Sequence, residues 1–454
     1  MGKNREAAVQ AIRHEAHPLR DLEDVDRVLG LVGESRIVLL GESTHGTREF
    51  YRLRAEITRR LIVEKRFDAV AVEADWPAAL RVSRYVQGRS GDTSAEQALG
   101  GFERFPRWMW RNTEVVALVQ WLRTYNDVQD APGDKVGFFG LDLYSLRESM
   151  QAVLRYLDEV DPEAAQRARA RYACFDDFAH HPQAYGHAVI HGLRDDCERE
   201  VVLQLTEMLH QAGQRLAASR GRDGGGSDEL FYAQQNARVV RNAETYYRAM
   251  FAGRTESWNV RDRHMASTLH QLRSHLAAQR ERPAHIVVWA HNSHVGDARA
   301  TDRAERGQLN LGQLVREQQH DPGESFILGF TTHAGSVAAA SDWDAPVELK
   351  TVRPSRIDSI ERLLHESALE RFVLPLQRGG SDGLRRALQD YRLARAIGVI
   401  YRPETERWSH YFHASLSRQF DAVMHLDQTR ALQPLESEHP WESTEEPETY
   451  PSGL

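Results

Sequence analysis

Arg36-Ile-Val-Leu-Leu-Gly-Glu-Ser-Thr-His-Gly-Thr47 is the stretch from which the fold can be read. Residues 36–40 form a short β-branched and aliphatic run closed by Gly41, which predicts a buried strand. From Thr47 to Lys65 the apolar residues Phe50, Leu53, Ile57 and Leu61 recur at helical spacing. A second apolar run, Ala69-Val-Ala-Val-Glu73, predicts another buried strand, and Val136-Gly-Phe-Phe-Gly140 a third. Strand, helix, strand in this order implies βαβ units and a mainly parallel sheet.

Outward from this core the pattern changes twice. Residues 1–34 read as polar, helical and peripheral. Residues 145–280 carry long helical patterns, such as Leu146–Val160, Asp195–Leu216 and Glu229–Phe251, and almost no strand signal. A flexible connector, Gly221-Arg-Asp-Gly-Gly-Gly-Ser227, divides them. Strands resume with His285-Ile-Val-Val-Trp-Ala290, Ser325-Phe-Ile-Leu-Gly329, Phe372-Val-Leu-Pro-Leu376, Ala396-Ile-Gly-Val-Ile-Tyr401 and Ala422-Val-Met-His-Leu426. The expected fold class is therefore α/β, with a central, mainly parallel sheet built from both halves of the chain and a large helical insertion. Residues 1–435 are expected to form a single domain, and the acidic, Pro-rich tail 436–454 to be disordered.

The composition narrows the function classes. The 454 residues include 58 Lys+Arg and 66 Asp+Glu, a net charge of −8, with 41% hydrophobic residues. That is enough apolar content for a sizeable core, and there is no basic excess to neutralise a nucleic acid. No run approaches the ~20 apolar residues of a membrane span, and the N-terminus lacks an apolar signal region. Two cysteines, Cys174 and Cys197, cannot build a disulfide framework or a four-cysteine zinc site. These features fit a reducing, cytoplasmic location and a small-molecule partner rather than a nucleic acid or a membrane.

Several polar residues stand at or just past strand ends, where parallel sheets bind ligands. Glu42 and His45 follow the first strand, and a nearby carboxylate can orient and strengthen an imidazole base. The same residues also fit a helix start capped by Ser43 or Thr44. Arg54 falls inside the apolar stripe of the following helix, so it pairs with a carboxylate, lines a cleft or snorkels out. Glu73 closes the second strand and is followed by Asp75 and Trp76; a helix cap at Asp75 is the alternative reading. His291 and His294 follow the strand at 285–290, as base and binding groups or as structural histidines. This His/Glu set also suits a zinc-type metal. A zincin pattern is missing, because His365-Glu366 has Leu369 where the second His would stand.

Gly379-Gly-Ser-Asp-Gly383 matches a nucleophile elbow around Ser381. Gln377 and Arg378 separate it from the preceding strand, however, so the turn is too loose, and a glycine-rich loop is the better reading.

Leu39-Leu-Gly-Glu-Ser-Thr-His-Gly-Thr-Arg-Glu-Phe-Tyr51, Val72-Glu-Ala-Asp-Trp-Pro77 and Trp289-Ala-His-Asn-Ser-His-Val-Gly296 resemble the erythromycin esterase family. Trp258-Asn-Val-Arg-Asp-Arg-His-Met-Ala266 and Ile400-Tyr-Arg-Pro-Glu-Thr-Glu-Arg-Trp408 extend the resemblance over residues 20–435. It is strongest to the branch labelled succinoglycan biosynthesis. The resemblance implies carboxylic ester hydrolysis, with His45 as general base on water and no covalent serine intermediate. Glu42 and Glu73 are the expected orienting carboxylates, and Arg54 and His291 the expected oxyanion or leaving-group partners. Asp75, Trp76, Asn292 and His294 are expected on the substrate side, with no cofactor and no metal. A metal-dependent hydrolase and a non-catalytic accessory protein of polysaccharide biosynthesis are the alternatives.

Overall fold

The computed structural model describes residues 2–178, 182–218, 225–319, 321 and 323–435. Its strands are β1 His17–Pro18, β2 Ile37–Leu40, β3 Ala69–Asp75, β4 Gly137–Asp142, β5 Ile286–Trp289, β6 Ser325–Ala340, β7 Val347–Val352, β8 Arg371–Pro375, β9 Arg392–Arg395, β10 Tyr411–Ala414 and β11 Ala422–Thr429. The main sheet has the order β1-β8-β11-β6-β2-β5-β3-β4, with β7 attached to β6. From β11 to β4 every neighbouring pair is parallel. β2 and β5 are buried along their whole length, as expected of strands covered on both faces. Leu40 at the end of β2 lies opposite both Trp289 and Leu328, so the loops after β2 and β5 leave the sheet side by side.

The expected α/β sheet from both halves of the chain is present. The segment Phe372–Leu376 does supply a strand, β8, but it runs antiparallel to β11. Ala396–Tyr401 is not a strand; it makes only isolated bridges, Ile397 to Thr44 and Ile400 to Ala340. Its apolar residues are buried over the loops at the sheet's edge, which yields the same sequence signal as a strand without the ladder. β7, Val-Glu-Leu-Lys-Thr-Val, escapes detection because it is largely exposed and charged. The N-terminal helices Gly2–Glu15 and Asp26–Val32 are less peripheral than their composition suggests, since Ala8, Ile12, Val28 and Val32 are fully buried.

Between β4 and β5 lie the helices Leu146–Val160, Pro162–Tyr172, Pro182–Ile190, Glu198–Ala218, Gly225–Ala252 and Arg254–Arg280. They share a separate apolar cluster that includes Val153, Tyr185, Tyr246 and Tyr247. This is the expected helical insertion. Cys174 and Cys197 are joined within it, with Cα atoms 6.1 Å apart, a pairing that departs from the reducing environment inferred from sequence. The helix Pro182–Ile190 lies between the two cysteines in the sequence. Most of the expected connector, residues 221–224, and the expected tail, 436–454, lie outside the described residues. Among the described residues, no helix is long and apolar enough to cross a membrane.

Candidate active site

The site begins at the exit of β2. A side chain at Gly41 would place its Cβ 2.0 Å from Asn292 Oδ1, so only glycine lets the two loops touch. Asn292 uses that room to hold β6: its Nδ2 donates to Phe330 O at 2.7 Å, and its Oδ1 accepts from Phe330 N at 3.2 Å. Its own N–H donates to Glu42 O at 2.8 Å. Asn292, expected on the substrate side, is therefore a bracket between the loops.

The bracket fixes Glu42, whose two oxygens have separate partners. Oε1 lies 2.9 Å from His45 Nδ1, and Oε2 accepts from Arg54 Nη2 at 2.8 Å. Thr47, not Ser43 or Thr44, occupies the N-cap position of the helix Arg48–Lys65, and this helix carries Arg54 inward as its apolar stripe predicts. The Arg54 guanidinium carbon lies 4.3 Å from the Tyr51 ring centre and 4.6 Å from that of Trp289, so two aromatic faces and one carboxylate hold the buried charge. With Nδ1 facing a carboxylate, neutral His45 carries its proton there. Its Nε2 is a bare lone pair with no hydrogen bond among the described residues.

His291 has the opposite tautomer. Ser293 N–H donates to His291 Nδ1 at 3.2 Å, and Ser293 Oγ lies 2.9 Å from the same atom. Since a backbone N–H can only donate, Nδ1 is the acceptor, and the proton of the neutral ring sits on Nε2. Burial holds the ring well below the usual histidine range, helped by the neighbouring His45 and His294. The two ring centres are 4.9 Å apart. A bare Nε2 and an Nε2–H thus belong to adjacent imidazoles, the complement that acid–base chemistry needs.

Glu73, at the end of β3, takes a different role from Glu42. Its Oε2 accepts from the His291 backbone N–H at 2.8 Å, and its Oε1 accepts from Arg261 Nη2 at 2.7 Å. Arg261 also binds Asp142 at the end of β4, through Nη2 at 2.6 Å and Nε at 3.0 Å. Burial pushes the Asp142 carboxyl up, but Arg261's charge and hydrogen bonds outweigh it and hold the group below its ordinary value. His294 lies beside this pair, with Nε2 3.4 Å from Glu73 Oε1 and Nδ1 2.9 Å from Asp262. Burial brings His294 down to about 3 and raises Asp262 well above the carboxylate range, so both favour their neutral forms. Glu42, His45, Arg54, Glu73, His291 and His294 are all buried.

A model of the family described as erythromycin esterase matches residues 62–429. The chain belongs to the erythromycin esterase family. Erythromycin esterase type II of Escherichia coli is 22% identical over 331 residues, covering 71% of this chain and 75% of that protein. Among solved structures, a succinoglycan biosynthesis protein superposes with a TM-score of 0.73 at 21% identity, covering 94% of this chain and 98% of the other. A Bacillus cereus protein gives 0.74 at 19% identity, with 95% and 99% covered. A mutant of the erythromycin esterase EreC, in its open conformation, gives 0.61 at 17% identity, with 90% and 94% covered. These likenesses show that the fold is shared.

Within this erythromycin esterase fold the structure brings Glu42, His45, Arg54, Glu73, His291 and His294 into one constellation. The other two expected residues have partners of their own, although Asp75 lies opposite Asp142 in the sheet. Trp76 packs in an aromatic cluster against Phe139, Phe231 and Tyr232. Asp75 precedes the helix Trp76–Val86 and forms a 3.8 Å ion pair with Arg104. Sequence reading missed Asp142, Arg261 and Asp262. Asp142 is the last residue of a buried strand, as Glu73 is a carboxylate near the end of one, and that signal was available. Arg261 and Asp262 sit on the charged helix Arg254–Arg280, where they look like a solvated face until burial is known. Among the described residues no three His, Cys, Asp or Glu side chains converge as a metal-ligand set.

Proposed function

We propose that this protein hydrolyses a carboxylic ester by general-base activation of water. The observation that supports it best is the pair of adjacent imidazoles in opposite tautomers, with His45 anchored by Glu42 and His291 anchored by Ser293. His45 Nε2 takes a proton from water, and the water oxygen bonds to the ester carbonyl carbon. His291 Nε2–H donates to the oxyanion that forms. The bond to the alcohol oxygen then breaks, and the leaving alkoxide takes the proton from His45. Arg54, expected beside the oxyanion, instead pairs with Glu42 and keeps that carboxylate aimed at His45. Glu73 positions the His291 backbone rather than the base. Trp258 and Arg261 of the helical insertion pack on His294 and Glu73, so the insertion forms one wall of the proposed cleft.

A macrolactone is one candidate ester, by analogy with the named relative, and belongs in a wide ester panel. Untargeted mass spectrometry of compounds consumed by wild type but not by His45→Asn identifies the substrate. His45→Asn is expected to lower kcat by ~10²-fold or more with the fold intact. A variant that keeps turnover within a few-fold of wild type sinks the assignment, and a panel with no turnover favours the accessory role.

The reaction is also expected to need no metal. The carboxylate oxygens are already taken, those of Glu42 by His45 and Arg54 and those of Glu73 by Arg261 and the His291 N–H. A divalent cation here would meet two guanidinium groups in a low-dielectric site. Full turnover is expected after prolonged EDTA treatment. Activity lost on chelation and restored by one equivalent of zinc or manganese overturns this.

A further inference from the structure

The buried arginines of the site are paired, Arg54 with Glu42 and Arg261 with Glu73 and Asp142. Arg303 makes no ion pair among the described residues. Its guanidinium carbon is held between two rings, 5.2 Å from the Trp258 centre and 4.7 Å from that of Phe412. Burial against these rings brings its pKa down to about 10, so the group stays cationic at neutral pH.

Arg303 lines a cavity of about 10 Å³ that also touches Ser293, Asn310 and Gln419, and no residue of its wall is acidic. Gln419 is only 2% exposed, yet its side-chain amide makes no hydrogen bond among the described residues. Arg303 is half-buried, and its guanidinium and the Gln419 amide line the pocket without a carboxylate partner, so a ligand oxyanion there would meet a cation and an amide donor. The cavity borders the proposed catalytic pair. Ser293, on its wall, anchors His291 Nδ1, and the indole of Trp258 stacks on His294 with centres 4.5 Å apart.

We propose that Arg303 and Gln419 form an oxyanion subsite, and that the ester cleaved at His45 carries a second, free carboxylate that docks there. This substrate class, the acidic hemiester, rests on the esterase reading above. A guanidinium clamped by its faces can present only its edge, which matches the two coplanar oxygens of a carboxylate. In the present conformation the cavity has room for roughly one water-sized group. A docking carboxylate oxygen would take the place of that group.

Two measurements test the subsite separately from hydrolysis. In calorimetry the probes are N-phenylglutaramic acid and its neutral primary amide, neither of which is an ester. Wild type is expected to bind the acid about tenfold or more tightly than the amide. Arg303→Gln is expected to abolish that preference and Arg303→Lys to retain part of it. In kinetics, mono-para-nitrophenyl glutarate is compared with para-nitrophenyl pentanoate. Arg303→Gln is expected to lower kcat/KM about tenfold or more for the acidic ester and to leave the neutral one within about threefold. Equal binding of both probes, no binding of either, or a preference that survives Arg303→Gln overturns the subsite. A binding preference without turnover of either ester supports the subsite, and the hydrolase reading is then decided separately by the wide ester panel.

Discussion

Single protons decide what the site residues can do. His45 and His291 are the same residue type at the same depth, and only their Nδ1 neighbours differ, a carboxylate for one and a backbone N–H for the other. That difference makes one a base and the other a donor, and it cannot be read from spacing. Ser381 shows the converse, a sequence signal resolved by a contact. Its Oγ accepts from Leu384 N at 3.1 Å as the N-cap of the helix Asp382–Ala387, and it also bonds Glu15. Ser381→Ala is expected to cost about 1 kcal/mol of stability and leave turnover unchanged. Covalent labelling of Ser381 by a fluorophosphonate, with loss of activity in the variant, would restore the serine-hydrolase reading.

Elements were legible where apolar runs are continuous. β2, β3, β5 and β11 lie on the runs that their sequence marks out, with β3 and β11 extending beyond them to Asp75 and Thr429, because both faces of a parallel sheet are covered. Burial alone does not make a ladder, and Ala396–Tyr401 was misread for that reason. The site was legible at strand ends, Glu42, Glu73 and His291, and illegible on the helix Arg254–Arg280, whose charges reveal their burial only in three dimensions. The junction of β2 and β5 gives a test at this scale. In Gly41→Ala the added methyl meets Asn292 Oδ1 and displaces the amide from Phe330. Two buried backbone groups then lose partners, at about 1–3 kcal/mol each. Urea unfolding should show a clear loss of stability. Asn292→Ala added to Gly41→Ala should cost less than the sum of the single changes, since the closest clash is gone and only the 3.1 Å contact with Val295 remains. Strict additivity would show that the bracket is not what requires glycine.

Across the whole molecule, the strongest pH signal comes from histidines buried as neutral rings in different layers. Burial brings His264 on the helix Arg254–Arg280, His333 in β6 and His410 beside β10 down to about 4, and His294 to about 3. In the unfolded chain each would titrate near 6.5. Between these values the unfolded state binds more protons than the folded one, so stability rises with pH and is lost as pH falls below about 6.5. Asp262 opposes this, because its raised value lets the folded state hold a proton that the unfolded carboxylate has released. The carboxyls of Asp142, Asp297 and Asp427, held low by their partners, add a further loss only below the carboxylate range. Burial raises Glu244 and Glu361 in the same sense as Asp262, but it also lowers His17, His285, His291 and His425, so eight histidines stand against three carboxyls and the histidine effect, led by the four named first, dominates. Each of those four is expected to cost about 1–2 kcal/mol between pH 7.5 and 5, and the total should reach several kcal/mol. Urea midpoints measured at half-unit steps from pH 8 to 4.5 are expected to start falling near pH 6.5, with proton uptake on unfolding. A midpoint that stays level to pH 5 and drops only in the carboxylate range would mean that these rings are charged, or solvated, in the folded protein.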